Sequence, residues 1–207
     1  MKKTIIPFLI AILVANYGNY LSGQEVVHNN QWFARHPVEI AIGNFSVGMP
    51  FSEIIISKVY PLVSIGTEFY YLDKNGSRIC QTTQAGGFYN AYNTSAFFVK
   101  TEILYRYTFR FGLFADAGLG VGYAHLFRPG AIYHQNSDEE YEQVTDWGKP
   151  SLMANLVMSA GFDFEKSFQL PFSLFVRYGN YIQLFYNQDI PALPQNSLQI
   201  GGRFFIK

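Results

Sequence analysis

In the segment 97–109, apolar and polar side chains alternate along the chain. Between Phe97 and Phe109 every second residue is aliphatic, aromatic or threonine, and Lys100, Glu102 and Arg106 stand between them. Because successive side chains of a β-strand point to opposite faces, this spacing predicts a strand with one apolar and one charged face. An amphipathic helix does not fit, since the three charges would spread around its circumference.

The same alternation recurs elsewhere and predicts about eight antiparallel strands. The predicted strands cover residues 38–49, 61–71, 77–89, 97–109, 111–124, 151–162, 172–178 and 197–207. The first has mixed faces and is a candidate for a bulge. The third is polar and Gly-rich, and it is assigned mainly because the strand count requires it. In the fifth, glycines fill alternate positions, which leaves room in a narrow lumen for long side chains of neighbouring strands.

The connections between these segments alternate between short and long. Residues 73–76, with the sequence Asp-Lys-Asn-Gly, are a hairpin turn signal. The reversal near 108–111 is also tight, and the one near 165–170 is of moderate length. The longer connections are 50–60, 90–95, 127–150 and 186–196. Outer-membrane barrels have short periplasmic turns and long external loops. The predicted fold class is therefore all-β, a closed antiparallel up-and-down transmembrane β-barrel of about eight strands.

The N-terminal segment has the pattern of a secretory signal peptide. Lys2 and Lys3 form a basic start, an apolar run follows, and small residues precede the expected cleavage before Gln24. The run is shorter than the roughly 20 residues of a spanning helix; an uncleaved anchor is the alternative. The sequence thus predicts a signal peptide at 1–23, a lead-in at 24–37 and a barrel domain at 38–207, exported to the cell outer membrane.

Composition excludes several function classes. Charged residues make up 14% of the 207 residues and aromatic residues 18%, which suits a wall that faces lipid better than the surface of a soluble domain. The formal net charge is 0, and loss of Lys2 and Lys3 leaves −2, so no basic face is available for nucleic acid. The lone Cys80 has no partner for an internal disulfide and lies in no zinc or redox motif.

The signal segment, the paired strands 97–109 and 111–124, and the C-terminal segment LQIGGRFFIK together resemble small outer-membrane barrels of the OmpA/OmpX type. The resemblance covers about residues 38–207 and concerns architecture, which many unrelated functions share. Such barrels usually end in an aromatic residue that the assembly machinery recognises, whereas here two residues follow Phe205. The resemblance implies membrane lipid and lipopolysaccharide as surroundings and the barrel-assembly machinery as a partner during insertion. It indicates no specific protein partner.

Some barrels of this kind are enzymes, namely lipid A deacylases, lipid A palmitoyltransferases and omptin proteases. The deacylases use a His and a Ser two residues apart on one strand face, but Phe127 stands two residues after His125, and His134 lacks the serine too. Near His134 the long loop carries the carboxylates of Asp138, Glu139, Glu140 and Asp146. They lack the regular spacing of a cation-binding loop. We therefore expect a protein that is not an enzyme and that binds no metal or cofactor.

Eight charged residues fall on the predicted inward face and form the candidate site. They are Glu68, Lys100, Glu102, Arg106, Arg110, Asp116, Arg177 and Arg203. Because an unpaired buried charge costs several kcal/mol, we expect a structural side-chain network that fills the lumen. The expected pairs are Glu68 or Glu102 with Arg106 or Arg177, and Asp116 with Arg110.

The predicted function is a structural or adhesive role at the cell surface through the loop 127–150. Within that loop, His134 and Trp147 are the candidates for external contact. Three alternatives stay open: an outer-membrane enzyme acting on lipid A or a surface substrate, a narrow pore, and a secreted barrel that binds an apolar ligand. The last would need apolar residues inside, where the alternation places charges.

Overall fold

The computed structural model describes residues 36–49, 60–91, 94–127, 130, 132–135, 141–144, 147–184 and 192–205. These residues belong to one compact unit, Arg35–Lys207. The predicted signal peptide and residues 24–35 of the predicted lead-in lie outside the described residues.

Eight strands of the described residues close into an antiparallel barrel. They are β1 (Pro37–Val47), β2 (Pro61–Lys74), β3 (Ser77–Phe88), β4 (Ser95–Thr108), β5 (Leu113–Phe127), β8 (Lys149–Asp163), β9 (Phe172–Leu184) and β10 (Ala192–Phe205). Each pairs with its neighbour in chain order, and β1 pairs with β10 to close the ring. The predicted fold class is confirmed, including the strand at 77–89.

Three elements of the described residues lie outside the predicted strands. The strands β6 (Ile132–Gln135) and β7 (Tyr141–Val144) form a separate hairpin inside the predicted loop 127–150. The short helix α1 (Phe164–Phe168) connects β8 to β9. No helix in the described part of the chain is long and apolar enough to cross a membrane.

Strand pairing corrects the predicted bulge and the predicted strand lengths. β1 pairs with β10 and with β2 without a register shift, and the irregularity lies instead in β2, between Tyr70 and Leu72. β9 continues past Tyr178, because residues 179–184 pair with β8 on one side and β10 on the other. The Gly-Asn step at 179–180 resembles a strand end in sequence, but hydrogen bonds on both edges hold it in the sheet.

Side chains alternate between the outer wall and the lumen along each strand. Outward-facing apolar residues are exposed on strands all around the barrel: Ile42 on β1 at 63%, Ile103 on β4 at 62%, Leu119 on β5 at 67% and Ile200 on β10 at 63%. Charged residues occupy the lumen instead, as described below. The polarity of an ordinary soluble domain is thus reversed.

The barrel has two different rims. The short-turn rim holds the turns 75–76 and 109–112, helix α1, and the pairing of Pro37 with Phe205 near the two ends of the barrel sequence. Asn75 and Gly76, with φ of 52° and 84°, form the predicted two-residue hairpin turn. The opposite, long-loop rim is formed by the other ends of these strands, and its described residues include 48–49, 60, 89–91, 94 and 147–148.

Candidate functional site

The lumen contains four buried carboxylates and four buried cations, all at most 5% exposed. They are Glu39, Glu68, Glu102, Asp116, Lys100, Arg106, Arg177 and Arg203. The charges balance, and they come from six strands, so that their ion pairs cross the lumen as well as following its wall.

One part of the network is centred on Arg106. Its guanidinium makes a bidentate pair with Glu68, with Nη1–Oε2 and Nη2–Oε1 distances of 2.9 and 2.7 Å. Its Nε donates to Asp116 Oδ2 at 3.0 Å. Arg203 approaches the same carboxylates, with Nε 2.7 Å from Glu68 Oε1 and Nη2 3.6 Å from Asp116 Oδ2. Two-point pairing of this kind fixes both position and orientation.

Glu39 of β1 links this group to Arg177 of β9. Arg177 Nη2 donates to Glu39 Oε2 at 2.9 Å, Arg203 Nε lies 3.0 Å from the same oxygen, and Gln84 Nε2 donates to Glu39 Oε1 at 2.8 Å. Glu39 was not among the predicted lumen charges. The signal was available, because Glu39 stands between the outward-facing Val38 and Ile40 and so falls on the inward face.

A second part of the network lies between β4, β8 and β9. Lys100 Nζ contacts Glu102 Oε1 at 2.7 Å and donates to Tyr181 Oη at 3.1 Å. Asn155 Nδ2 donates to Glu102 Oε1 at 2.6 Å, and Thr82 Oγ1 donates to Glu102 Oε2 at 3.1 Å. A bond from Lys100 to Tyr181 joins residues on strands that are not neighbours, so it spans the interior.

Aromatic rings pack against the guanidinium groups of the network. The Arg203 Cζ atom lies 4.4 Å from the centroid of Phe175 and 5.2 Å from that of Phe114. Arg177 Cζ lies 4.6 Å from the Phe175 centroid. A cation over a ring face is attracted by the ring quadrupole, so these rings stabilise the charges while filling space.

An apolar layer occupies the lumen nearer the long-loop rim. It consists of Phe45, Leu62, Phe88, Ala96, Phe98, Ala124, Leu126 and Met153. The rings of Phe45 and Phe88 stack with centroids 3.7 Å apart. This layer and the ionic network together fill the interior with side chains, as an eight-stranded barrel of this width allows.

The glycines of β5 make room for the network. Gly118, Gly120 and Gly122 pair with Leu104, Glu102 and Lys100 of β4. A Cβ atom on Gly120 would lie 2.6 Å from Asn155 Oδ1 and 2.7 Å from Glu102 Cγ. The predicted reason for this glycine row, space for long neighbouring side chains, agrees with that close approach.

The structure contradicts the prediction for Arg110. Its side chain is exposed in the turn between β4 and β5, because β4 ends at Thr108 and the turn is closed by a bond from Gly112 N–H to the Phe109 carbonyl. The alternation of sequence continues past the strand end, but the alternation of faces does not. The expected pair of Asp116 with Arg110 is therefore wrong. Of the other predicted pairs, Glu68 does contact Arg106.

The long-loop rim presents Trp147, with 84% of its surface exposed. Its carbonyl oxygen lies 2.7 Å from His125 Nε2, and the His125 Nδ1 atom lies 2.8 Å from Tyr123 Oη. Both ring nitrogens of His125 are thus engaged, and the Nε2 contact holds the base of the loop. The backbone of His134 pairs with Glu142 in the β6–β7 hairpin.

The predicted acidic neighbours of His134, namely Asp138, Glu139, Glu140 and Asp146, lie outside the described residues. Within the residues that are described, no group of three or more His, Cys, Asp or Glu side chains is arranged to hold a metal ion. Cys80 is a buried free thiol on the lumen side of β3.

The fold and the lumen together define a small closed β-barrel with an apolar wall and an ionic interior. No protein-family model matches the sequence, and no curated protein matches it either. Similar solved structures include the outer membrane enzyme PagL, with 11% identity, a TM-score of 0.45, and coverage of 80% of this chain and 97% of that chain.

Two further similar structures are Neisserial surface protein A and Ail, the attachment invasion locus protein of Yersinia pestis. The first has 11% identity, a TM-score of 0.48, and coverage of 83% of this chain and 97% of that chain. The second has 9% identity, a TM-score of 0.42, and coverage of 84% and 99%. At such identities the likeness concerns the fold alone, and no activity is transferred from these proteins to this chain.

Proposed function

We propose that this chain is a non-enzymatic β-barrel of the bacterial outer membrane, with a closed lumen and a surface-contact role at its long-loop rim. The observation that carries the proposal is the reversed polarity of the barrel. Exposed apolar side chains such as Ile42, Ile103 and Leu119 form the outer wall. Soluble monomeric proteins rarely expose an apolar surface of that extent to water. A closed barrel in lipid leaves no backbone group of the wall unpaired.

Strand length supports a membrane-spanning wall. The barrel strands contain 11 to 15 residues, and a tilted strand of about 9–11 residues crosses the hydrocarbon core of a bilayer. The rival proposal, a secreted barrel with an apolar ligand inside, requires apolar side chains in the lumen and polar side chains on the outer wall. Its interior would not contain ion pairs such as Arg177–Glu39 and Arg106–Glu68.

Filling of the lumen supports a closed barrel rather than a pore. Ion pairs join strands across the interior, and the apolar layer around Phe45 and Phe88 lies between them and the long-loop rim. An ion that entered this space would have to displace paired, buried charges, which costs several kcal/mol.

The surface role is assigned to the loop 127–150. Its base is fixed by the bond between His125 and the carbonyl of Trp147, while the indole itself is exposed. An exposed tryptophan on a fixed backbone is the kind of side chain that dominates binding interfaces. Lipopolysaccharide and membrane lipid are the surroundings that this location implies, and the barrel-assembly machinery is the implied partner during insertion.

Absence of catalysis is part of the proposal. The engagement of both His125 ring nitrogens supports it, since a general base needs a free nitrogen toward its substrate. Overexpression should leave the mass spectrum of lipid A unchanged. A new deacylated or acylated species that depends on His125 would instead establish an enzyme acting on lipid A.

Location and orientation are tested together on intact cells with a membrane-impermeant maleimide. The variant Trp147→Cys should be labelled from outside, whereas Lys74→Cys at the short-turn rim should be labelled only after lysis. The wild type is the blank, because Cys80 is buried. The outer-membrane fraction should also show a faster-migrating unboiled band on SDS gels. A soluble protein without that band would overturn the proposal.

The surface role is tested by attachment of expressing cells to matrix-coated surfaces. Expression of the wild type should increase attachment, and replacement of residues 131–146 by a Gly-Ser linker should abolish the increase while the heat-modifiable band remains. Equal attachment by both proteins would contradict a role of this loop.

A further inference from the structure

The outward side of β3 carries polar side chains at positions where most of the outer wall is apolar. Its outward residues include Gln81 and Thr83. Thr83 pairs in register with Thr67 of β2 and with Thr101 of β4, so the three threonines form a row across three adjacent strands, which we call the threonine row. The row lies near the middle of these strands, at the depth where a spanning wall contacts acyl chains.

Only part of this polar surface is satisfied within the chain. Gln81 Nε2 donates to Thr101 Oγ1 at 2.7 Å, and the Thr101 hydroxyl donates to the Thr82 carbonyl at 3.0 Å. The hydroxyls of Thr67 and Thr83 have no hydrogen-bond partner in the described part of the chain. Because a hydroxyl without a partner in an apolar medium costs free energy, the row favours a neighbour that donates and accepts at the same depth.

The outward face of β3 is also the floor of a shallow groove. Ala85 pairs with Ile65 on β2 and with Val99 on β4, and Gly87 pairs with Phe97 on β4. The two floor residues are half-buried, whereas the three larger side chains on the flanks are exposed. Small floor residues let a second backbone approach closely within a membrane. We use the name β3 groove for the floor residues Gln81, Thr83, Ala85 and Gly87.

A second copy of this chain matches the groove by symmetry. Two copies that cross the membrane in the same direction are related by a two-fold axis along the membrane normal, so residues meet at equal depth. With the axis at β3, Thr83 faces Thr83 of the second copy. The β2 flank of one copy faces the β4 flank of the other, which brings Thr67 to Thr101 and Ile65 to Val99.

This arrangement is complementary in chemistry as well as in position. A threonine hydroxyl both donates and accepts, so a threonine that faces a threonine at the same depth is a suitable partner. The floor of the β3 groove carries no charge that would face its own copy. Acyl chains offer no hydrogen-bonding group at this depth, so lipid fills the groove without satisfying the hydroxyls.

We propose that the β3 groove is a contact between two copies of this chain within the membrane. The inference rests on the proposed function, because it assumes that both copies cross the membrane in the same direction. Thr83 lies at the two-fold axis, and the apolar flanks of the two grooves pack against each other. The pair leaves both lumens closed and places two long-loop rims side by side, which gives a surface contact two points of attachment.

Oxidative cross-linking tests the geometry in pure protein folded in phospholipid vesicles. Thr83→Cys places a thiol at the axis, and Val176→Cys places one on the outer wall of β9, opposite β3 in the ring of eight strands. The wild type, whose Cys80 is buried, is the blank. Thr83→Cys should give a reducible product of twice the chain mass, and Val176→Cys should not. Equal cross-linking of the two variants would indicate random collision and overturn the contact.

The role of the hydroxyls is tested by energy transfer between copies labelled at Lys74→Cys, measured against the ratio of protein to lipid. The double variant Thr67→Val with Thr83→Val keeps both side-chain shapes and removes the hydroxyls, so it should raise the dissociation constant of the pair by about tenfold. Thr67→Ser with Thr83→Ser keeps the hydroxyls and should raise it less. An unchanged constant in the valine variant, or an equal rise in both, would overturn a hydrogen-bonded contact.

Failure of this contact is distinguishable from failure of the proposed function. A heat-modifiable barrel that shows no energy transfer above random proximity at any ratio overturns the pair and leaves the spanning wall intact. A chain that does not enter vesicles overturns both. If Thr83→Cys is cross-linked to a different protein in intact cells while the pure protein stays monomeric, the second copy is not the occupant of the groove.

Discussion

Arg203, near the end of the last strand, contacts carboxylates from three other strands. Its guanidinium approaches Glu39 on β1, Glu68 on β2 and Asp116 on β5. Within a narrow lumen a guanidinium is well suited to this task, because its planar fork offers five donors in fixed directions and stays charged. The lumen therefore ties the closing strand to the rest of the barrel through side chains as well as through the backbone ladder.

Glu39 is expected to be the most sensitive single position of the network. The substitution Glu39→Gln keeps the shape of the side chain but leaves Arg177 and Arg203 with one carboxylate fewer between them. Breaking a buried pair from one side costs about 3–5 kcal/mol. Urea unfolding of the vesicle-folded protein should show a loss of free energy of unfolding of that order.

The matched control is Asp73→Asn, because the pair of Asp73 with Arg78 is partly exposed, at 56% and 26% of the two side chains. Exposed pairs of this kind contribute at most about 1 kcal/mol. Similar small losses for the two variants would show that the Glu39 carboxylate is not needed to balance the buried cations.

Gly120 is expected to tolerate no side chain. A Cβ atom there meets Asn155 Oδ1 at 2.6 Å and Glu102 Cγ at 2.7 Å, so Gly120→Ala must displace a hydrogen-bonded part of the network. Overpacking of this kind costs about 1–3 kcal/mol. Gly202→Ala is the control, since its Cβ atom would face the outer wall, 3.3 Å from the Phe204 ring, and should leave the urea midpoint nearly unchanged. If Gly120→Ala also leaves the urea midpoint unchanged, the side chains of the lumen are packed less closely than these distances indicate.

At the scale of elements, alternation with a period of two predicts the barrel strands because each strand has one apolar and one polar face. The hairpin β6–β7 and helix α1 escape this reasoning, since four- and five-residue elements are too short to establish a period. The error at Arg110 has a different cause, because a pattern of residue types does not show where a strand ends and the backbone turns. Glu39 was missed because the first strand was interpreted as irregular, whereas its pairing is continuous.

The cap of helix α1 can be tested locally. In Asp163→Ala the backbone N–H groups of Glu165 and Lys166 lose their common acceptor, Asp163 Oδ1. Loss of an N-cap costs about 1 kcal/mol, and the cost should fall on this turn alone. Amide exchange at residues 165 and 166 should accelerate by about fivefold to tenfold, as that free energy implies, while exchange in β8 and β9 stays slow.

Lys166→Ala serves as the control for this measurement, because it shortens an exposed side chain of the same turn and leaves the cap in place. Equal acceleration in both variants would mean that Asp163 does not hold the helix.

At the scale of the whole molecule, sequence and structure agree on a protein turned inside out relative to a soluble domain. Its hydrophobic side chains face outward, and its interior is held by balanced charges, amides and a limited apolar layer. The hydrophobic effect cannot drive packing of such an interior in the usual way, so directional contacts between charged groups specify it. The stability of the barrel and the closure of its lumen therefore depend on the same contacts, because the ion pairs that order the interior also block a path through it.

Closure leads to a prediction for transport. Pure protein in planar bilayers should give no single-channel steps, whereas a porin in the same bilayers gives them. The double variant Glu68→Ala with Arg106→Ala removes a cation and a carboxylate together, which keeps the lumen neutral. It should also stay silent, since the stacked rings of Phe45 and Phe88 still fill part of the interior and the bond from Lys100 to Tyr181 still crosses it. Reproducible steps from the wild type would contradict the closed lumen, and steps from the double variant alone would show that the Glu68–Arg106 pair is what blocks conduction.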